Sequence, residues 1–202
     1  NIQNGDIETN VTIEVPVNID GREVAKATAP YTKKEIDKIQ TRNDRKIENY
    51  FNHISNDNKR DLACEIIIEL GDLDFWSNVS LNEKVKMEKV FKEQVEVLEL
   101  IVPNFKVANA TIHFDESSPH LHIIGVPFKD NCKRGLERQV GKSTIFRKES
   151  LTMIQDKMRD HCIVSFNKVY ETNCTLKIKE QGRNEDINVL NMKNYTNVKK
   201  EK

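Results

Sequence analysis

This sequence lacks the features of a membrane-spanning protein and of a disulfide-stabilised secreted domain. No apolar run approaches the ~20 residues that a transmembrane helix needs, and no early segment has the apolar core of a signal peptide. The four cysteines are far apart and form no Cys-x-x-Cys pair. Such spacing is typical of reduced thiols, so we expect a cytoplasmic protein.

An excess of one sign of charge is also missing. Lys and Arg together number 32, and so do Asp and Glu, which gives a net charge of zero. The total charge therefore neither favours nor excludes a nucleic-acid partner, and only its distribution along the chain is informative. With 32% charged and 37% hydrophobic residues, the 202-residue chain has the composition of a polar, soluble protein. That length suits one domain with a buried core, or one domain with an appendage.

Histidine is scarce but concentrated. Three of the five histidines are His113, His120 and His122. His120 and His122 are two residues apart in an apolar run, so in a β-strand both imidazoles point to one face. His113 ends a second apolar run, and the polar residues and Pro119 between the runs predict a turn that joins two strands. Such a hairpin can bring three imidazoles to one point, where a divalent cation could bind.

Two interpretations of these histidines remain open, a metal site and hydrogen-bonded structural residues. Asp115 and Glu116, which lie between the histidines, favour the metal site. Imidazole suits zinc, manganese, iron, nickel and copper, while added carboxylate or water oxygens favour manganese or magnesium. A closed structural zinc site of the cysteine-rich type is disfavoured, because no cysteine is close by. Three protein ligands would leave coordination positions open for a substrate, as in a catalytic site.

The ten residues His-Phe-Asp-Glu-Ser-Ser-Pro-His-Leu-His, from 113 to 122, resemble the metal motif of plasmid mobilisation and recombination (Mob/Pre, MobV-type) relaxases. These relaxases belong to the histidine–hydrophobe–histidine (HUH) superfamily of endonucleases. The resemblance covers about residues 44–200, and its further matches are 126–133, 148–151, 154–156, 165–170, 182–184 and 186–189. It implies metal-dependent nicking of one DNA strand at a plasmid origin of transfer, as in mobilisation and conjugation. The implied cofactor is Mn²⁺ or Mg²⁺, and the implied partner is single-stranded plasmid DNA.

The resemblance also implies roles for individual residues. His113, His120 and His122 would hold the ion, and Glu116 is the candidate catalytic base or outer-shell carboxylate. Asp115 is expected to orient a histidine or to hold the turn. Similarity to the superfamily implies a covalent link between a side-chain nucleophile and the 5′ phosphate of the DNA.

The nucleophile is where the sequence departs from the family. Mob/Pre relaxases keep it, a histidine or a tyrosine, ahead of the region of likeness, and residues 1–43 contain no histidine. Tyr31, Tyr50 and His53 are substitutes by residue type only. We therefore expect a fused or truncated relaxase that binds DNA and nicks weakly. The alternatives are a decayed metal- and DNA-binding module, and a metalloenzyme acting on a small substrate.

A basic segment follows the histidine hairpin. Between residues 132 and 148 six cations face one acid, Glu137. Such a loop beside a metal site can bind phosphates, although alone it would more often be a solvated surface loop. The predicted DNA-binding residues are Lys133, Arg134, Arg138, Lys142 and Arg147.

Hydrophobic periodicity predicts an α/β fold. A strand is expected at 62–70, a helix from Ser80 to a stop before Pro103, the two histidine strands, and a helix at 148–170. The predicted buried stripe of the first helix is Val85, Val90, Phe91, Val95, Leu98 and Ile101. This order predicts an antiparallel sheet with helices covering one face, an HUH relaxase-like two-layer sandwich. His161, beside the buried stripe of the second helix, is expected at its surface or in packing.

Two domains are predicted, 1–43 and 44–202. In the first, residues 10–19 alternate like a strand, Asp20-Gly21 suits a tight turn, and residues 23–29 can return as a partner strand. The prediction is an amino-terminal β-hairpin appendage with a linker, of unclear origin, attached to a relaxase-like metal-binding domain.

Overall fold

An antiparallel sheet with two long helices packed on one face forms the framework of the protein. The computed structural model describes residues 6–7, 9–14, 47, 49–57, 60–116, 118–143 and 145–178. The elements are β1 (Asp6–Ile7), β2 (Thr9–Glu14), α1 (Tyr50–Ser55), β3 (Cys64–Leu70), α2 (Leu73–Trp76), α3 (Leu81–Lys84), α4 (Met87–Ile101), β4 (Phe105–His113), β5 (His120–Lys129), β6 (Gln139–Val140), α5 (Lys148–Tyr170) and β7 (Thr175–Leu176).

Strand β5 occupies the centre of the sheet. The strand order is β2-β3-β5-β4, every pairing is antiparallel, and β6 pairs with the end of β5. The short β1 and β7 form a separate parallel pair. The predicted hairpin of two histidine strands is therefore present as β4 and β5, and the predicted strand at 62–70 is present as β3.

The main core lies between the sheet and helices α4 and α5. Leu121 and Ile123 of β5 are 1% and 0% exposed, and they pack in one cluster with buried side chains of both helices. Burying each such side chain contributes about 1.5–3 kcal/mol. Because neighbouring residues of a strand point to opposite faces, this core directs His120 and His122 to the other face of the sheet. The prediction that helices cover one face is confirmed.

The helix predicted to start at Ser80 is divided into two. The Ser80 hydroxyl accepts a hydrogen bond from the Glu83 N–H at 3.4 Å and caps α3, while α4 begins only at Met87. Val85 lies at the turn between the two helices and is 42% exposed. Its predicted place in the buried stripe is wrong, because the turn ends the helical register that the stripe assumed.

The rest of that stripe has the predicted pattern. Val95 and Ile101 are half-buried, and the helix ends before Pro103. The buried hydrophobic members of the stripe are Val90, Phe91 and Leu98. Helix α5 spans residues 148–170 as predicted. Within the described residues, no helix combines the length and the apolar character required to cross a membrane.

A second, smaller cluster lies on the histidine face of the sheet. Tyr50 and Ile54 of α1 pack there with Val126, which shares its face of β5 with His120 and His122. The Tyr50 hydroxyl accepts a hydrogen bond from the Val140 N–H at 2.9 Å. Helix α1 thus covers the far end of β5 and leaves the histidine end to other groups.

The amino-terminal strand belongs to the central sheet. β2 pairs with β3 over its whole length, from Thr9 opposite Leu70 to Glu14 opposite Glu65. The sequence predicted a partner for this strand within residues 23–29, and that segment lies outside the described residues. The boundary at residue 43 stays a prediction.

Candidate metal site and basic loop

The structure brings the three predicted histidines together at one end of the β4–β5 hairpin. His113 lies directly opposite His120 in the strand register, and His122 follows two residues along the same face of β5. The ring centroids are 5.2 Å apart for His113 and His120, and 5.0 Å apart for each of the other two pairs. We call these three residues the histidine triad.

Two of the triad imidazoles are held through Nδ1. The Nδ1 of His120 lies 3.0 Å from the Ser118 carbonyl oxygen, and that of His122 lies 2.6 Å from the Glu65 carboxylate. A carbonyl oxygen and an ionised carboxylate only accept hydrogen bonds, so each Nδ1 carries the proton. In the neutral rings this leaves Nε2 with a free lone pair, which is the form that binds a metal ion.

The two carboxylates of the turn lie on the open side of the triad. An Asp115 oxygen is 3.6 Å from His113 Nδ1, and a Glu116 oxygen is 3.9 Å from His120 Nε2. Both distances exceed that of a hydrogen bond. The Asp115 and Glu116 side chains are 82% and 66% exposed, so both can move toward the rings or toward a bound molecule.

The triad fits a divalent ion in donor chemistry and in ring spacing. Nitrogen–metal bonds of about 2.1 Å place ring centroids roughly 3.2 Å from an ion, so rings about 105° apart have centroids about 5 Å from each other. In the described part of the chain, no group of three His, Cys, Asp or Glu side chains is already arranged to hold an ion. The His113 and His120 rings are within 5° of parallel. Because His120 and His122 are held through Nδ1, rotation of the His113 ring about χ2, a soft torsion for histidine, is what would turn its donor nitrogen toward the other two rings.

Sequence reasoning missed the residues that support the triad from β3 and from the turn. Glu65 is 9% exposed and holds His122, while the Ser118 hydroxyl donates a hydrogen bond to Glu69. Glu69 lies opposite His120 in the register. The available signal was the even spacing of Glu65 and Glu69 in the otherwise apolar β3, which puts two acids on one face of a buried strand.

The predicted DNA-binding residues of the basic loop differ in their surroundings. The Arg138 guanidinium forms an ion pair with Asp130 and lies 4.4 Å over the centre of the Phe128 ring. Lys142 is paired with Asp61 at 2.5 Å. These two cations therefore hold the loop to the body of the domain.

The other three are exposed. Lys133 and Arg134 lie on the surface of the loop and take part in none of the ion pairs among the described residues. Arg147 is exposed at the start of α5, and its Nε donates to the Ser143 carbonyl oxygen at 3.4 Å. Lys133 and Arg134 are thus two adjacent cations of the loop that are exposed and outside these ion pairs.

None of the candidate nucleophiles that the structure describes contacts the triad. Tyr50 is 5% exposed in the second cluster, and His53 is exposed on α1 with its ring 6.3 Å from that of Tyr50. His161 packs against Gln94 between the long helices, which agrees with its predicted packing role. Tyr31 lies outside the described residues.

None of the four cysteines belongs to the histidine triad. All four are free thiols, and Cys64, Cys162 and Cys174 are buried while Cys132 is partly exposed. Burial raises the pKa of the Cys64 thiol to about 12, so it stays protonated at neutral pH.

Comparison with known proteins places these features in a family context. The family profile described as "Plasmid recombination enzyme" (Mob_Pre) matches residues 17–197. Among curated proteins, a plasmid recombination enzyme type 1 of Staphylococcus aureus is 30% identical over 91 residues, which are 45% of this chain and 21% of that protein. A plasmid recombination enzyme of a Bacillus species is 27% identical over 100 residues, or 50% of this chain and 21% of that protein. The aligned part spans about a fifth of these curated relatives.

Solved structures provide a likeness over nearly the whole chain. The MobM relaxase domain (MOBV; Mob_Pre), in an Mn-bound crystal structure with 22-nucleotide pMV158 oriT DNA, aligns with a TM-score of 0.55 and 18% identity. The alignment covers 93% of this chain and 99% of that one. A second Mn-bound structure of the same domain, with a 3′-thiophosphate DNA, gives a TM-score of 0.52. At this identity the likeness shows the fold.

Proposed function

The chain belongs to the plasmid recombination enzyme (Mob_Pre) family, and from that premise we propose that it acts on single-stranded DNA at a plasmid origin of transfer. The proposed reaction is metal-dependent nicking and strand transfer by a relaxase mechanism. The observation that carries the proposal is the histidine triad, whose rings lie 5.0–5.2 Å apart on the sheet face opposite the two long helices.

His113, His120 and His122 would hold the ion, His120 and His122 through the Nε2 atoms that their hydrogen bonds leave free. Bound Mn²⁺ or Mg²⁺ would act as a Lewis acid on the scissile phosphate. Glu65 and the Ser118 carbonyl would fix the orientation of two rings, since both accept the Nδ1 protons. Glu116, exposed and on the open side, remains the candidate base.

The solved relative supports the choice of ion and partner. Two of its crystal structures are Mn-bound and contain oriT DNA. An all-imidazole set with nearby carboxylates suits manganese on chemical grounds as well. We therefore propose Mn²⁺ before Mg²⁺, and a cytoplasmic protein acting on plasmid DNA.

A second candidate function is a metal- and DNA-binding module that nicks weakly. The burial of Tyr50 favours it, because a tyrosine that is 5% exposed, packed in the second cluster and hydrogen-bonded to the Val140 N–H has to be released before it can attack a phosphate. Tyr31 and His53 remain candidates for the attacking group. The two functions share the metal and the DNA, and differ only in the rate of strand cleavage.

The test compares His120→Ala with His161→Ala, a histidine outside the triad. Mn²⁺ affinity is measured by calorimetry, and cleavage of a labelled 22-nucleotide pMV158 origin strand is followed with Mn²⁺ or with EDTA. We expect H120A to lose tight Mn²⁺ binding and any metal-dependent cleavage, and H161A to keep both.

Each alternative predicts a different result in the same experiment. Equal Mn²⁺ binding by the native protein and H120A would refute the metal site. Metal-dependent DNA binding with little cleavage would select the weakly nicking module. Metal-dependent hydrolysis of bis(p-nitrophenyl) phosphate without DNA binding would select a metalloenzyme acting on a small substrate.

A further inference from the structure

A basic groove lies at the end of β5 farthest from the triad. It encloses about 570 Å³ between the end of β5, the loop that follows it and the segment around Gly141. We define the basic groove by its four cationic side chains, Arg60, Lys129, Lys133 and Arg134. Arg60 and Lys129 were not among the predicted DNA-binding residues, because neither belongs to the basic loop.

Every charged side chain in the lining of the groove, among the described residues, is cationic. No Asp or Glu lines it, and Lys129, Lys133 and Arg134 take part in none of the ion pairs found among the described residues. Arg60 is partly neutralised by Asp57 at 2.6 Å. Three uncompensated cations around one open concavity attract an anion with several charges, such as consecutive phosphates of a nucleic-acid strand.

The neighbouring cations have other partners. Arg138 is engaged by Asp130 and Phe128, and Lys142 by Asp61. Their charges are therefore already compensated inside the domain. Among the described residues of the groove, Lys129, Lys133 and Arg134 take part in none of these ion pairs and have charge available for a ligand.

The distance between groove and triad suits one continuous strand. Lys129 lies seven residues beyond His122 along β5, which at ~3.3 Å per residue is about 23 Å. One strand of stacked DNA rises ~3.4 Å per nucleotide, so about seven nucleotides span that straight distance, and a strand that passes around α1 takes a few more.

We propose that the basic groove is a second phosphate-binding site, which holds the backbone of the same single DNA strand about seven or more nucleotides from the triad. This inference rests on the proposed function, since it takes the triad as the other point of attachment. The groove would bind by charge and without reading base sequence, because the exposed cations Lys129, Lys133 and Arg134 offer contacts to phosphates, which carry no sequence information.

The first measurement is the affinity for fluorescein-labelled dT16, by anisotropy in Mn²⁺ buffer, as salt is varied. Three phosphate contacts in the groove predict a contribution of about −2 to the slope of log K against log[salt]. Lys133→Ala combined with Arg134→Ala should remove about two thirds of that contribution and weaken binding at least about tenfold at low salt. The matched control is K89A/K157A, which removes two exposed helix lysines.

The second measurement uses Cys132, which lines the groove and is the one thiol of the four that is not buried. Saturating dT16 should slow its reaction with a disulfide reagent at least about fivefold in the native protein and in K89A/K157A, but not in K133A/R134A. Inorganic phosphate at the same phosphate concentration should protect much less, because it lacks linked charges.

The outcomes separate this inference from the proposed function. The groove proposal would be overturned if K133A/R134A bound dT16 with the affinity and salt slope of the native protein. It would also be overturned if dT16 did not protect Cys132 in the native protein. Tighter binding of U16 than of dT16 by tenfold would overturn it in favour of RNA. If H120A binds Mn²⁺ and cleaves like the native protein while K133A/R134A loses affinity, the groove stands and the triad assignment fails.

Discussion

At the scale of single residues, two of the three triad rings are oriented by hydrogen-bond acceptors at their Nδ1 atoms. His122 is held by the Glu65 carboxylate and His120 by the Ser118 carbonyl. A carboxylate makes an imidazole more basic and fixes its tautomer, whereas a neutral carbonyl mainly fixes the tautomer. His122 should therefore be the stronger donor of the two.

Glu65→Gln tests that difference. The amide oxygen can still accept the Nδ1 proton but carries no charge, so we expect about tenfold weaker Mn²⁺ binding with little change in stability. Calorimetric titration measures it, with Glu96→Gln, an exposed helix residue, as the matched control. Unchanged Mn²⁺ affinity in E65Q would show that Glu65 only fills space beside His122.

At the scale of secondary-structure elements, the chain reverses after β3 through a capped helix. Asp72 accepts the Phe75 N–H at 2.9 Å and pairs with Lys177 at 3.3 Å. The hydrogen bond from Phe75, opposed by partial burial and aided by Lys177, holds the pKa of Asp72 below its ordinary value. The cap is thus strongest while its carboxyl group is ionised.

Asp72→Ala should lower the free energy of unfolding by about 1 kcal/mol at neutral pH. Because the folded-state pKa lies below the unfolded one, the carboxylate's contribution is complete above the unfolded pKa. It declines as pH falls below about 4 and through the folded pKa. Urea unfolding at several pH values should show that the difference in unfolding free energy between the native protein and D72A becomes smaller at acid pH. The control is Asp74→Ala, because the Asp74 side chain does not cap the helix; its loss of unfolding free energy should be smaller than that of D72A. A loss of unfolding free energy in D72A that does not change with pH would contradict the role of the ionised carboxylate.

The packing of strand β5 against β4 also requires a glycine at position 125. A Cβ at Gly125 would lie 2.4 Å from the end of the Phe105 ring and 2.9 Å from the Lys106 carbonyl oxygen. Phe105 is 1% exposed and packs in the main core, so it cannot move aside freely. The close approach of β4 and β5 at this point sets the spacing of the strands that carry the triad.

We expect Gly125→Ala to lower the free energy of unfolding by about 1–3 kcal/mol, the cost of overpacking. Gly141→Ala is the matched control, since its Cβ would meet nothing within 4 Å. Its effect should stay within about 0.5 kcal/mol. Chemical denaturation measures both, and equal stabilities of the two variants would mean that Phe105 repacks without cost.

At the scale of the whole molecule, the sheet has one buried face and one face that carries the candidate site. One face is buried under α4 and α5, and the other carries the triad at one end of β5 and the α1 cluster farther along it. The triad side chains range from 11% to 39% exposed, so they are reachable without unfolding the core. Substitutions in the triad should change ion binding far more than stability.

Weak strand cleavage is the prediction for the whole chain. In-line attack needs a nucleophile placed within about 1 Å, and a displacement of that size can cost on the order of 100-fold. We expect binding of an origin-like strand with Mn²⁺ or Mg²⁺, little nicking, and hydrolysis products with a free 5′ phosphate. A denaturing gel with labelled oligonucleotide distinguishes these from a covalent adduct. A strong adduct band would contradict the prediction and direct single replacements to Tyr31, Tyr50 and His53.

Local sequence patterns were sufficient for β3, the β4–β5 hairpin, α5 and the convergence of the three histidines. The two-residue spacing of His120 and His122, the turn at Pro119 and the periodicity of residues 148–170 each involve neighbours in the chain. Backbone geometry converts such spacings directly into shared faces. The resemblance in residues 113–122 then led to the family that the Mob_Pre profile confirms.

Only the tertiary structure decided which distant groups meet. Glu65 reaches His122 across 57 positions of sequence, and Ser118 reaches Glu69 across 49. The tertiary structure was also needed to show that β2 pairs with β3 and that Val85 is exposed. It likewise showed which cations of the basic loop form ion pairs and which do not. Strand order and register depend on the total burial achieved by the whole chain, which no local pattern contains.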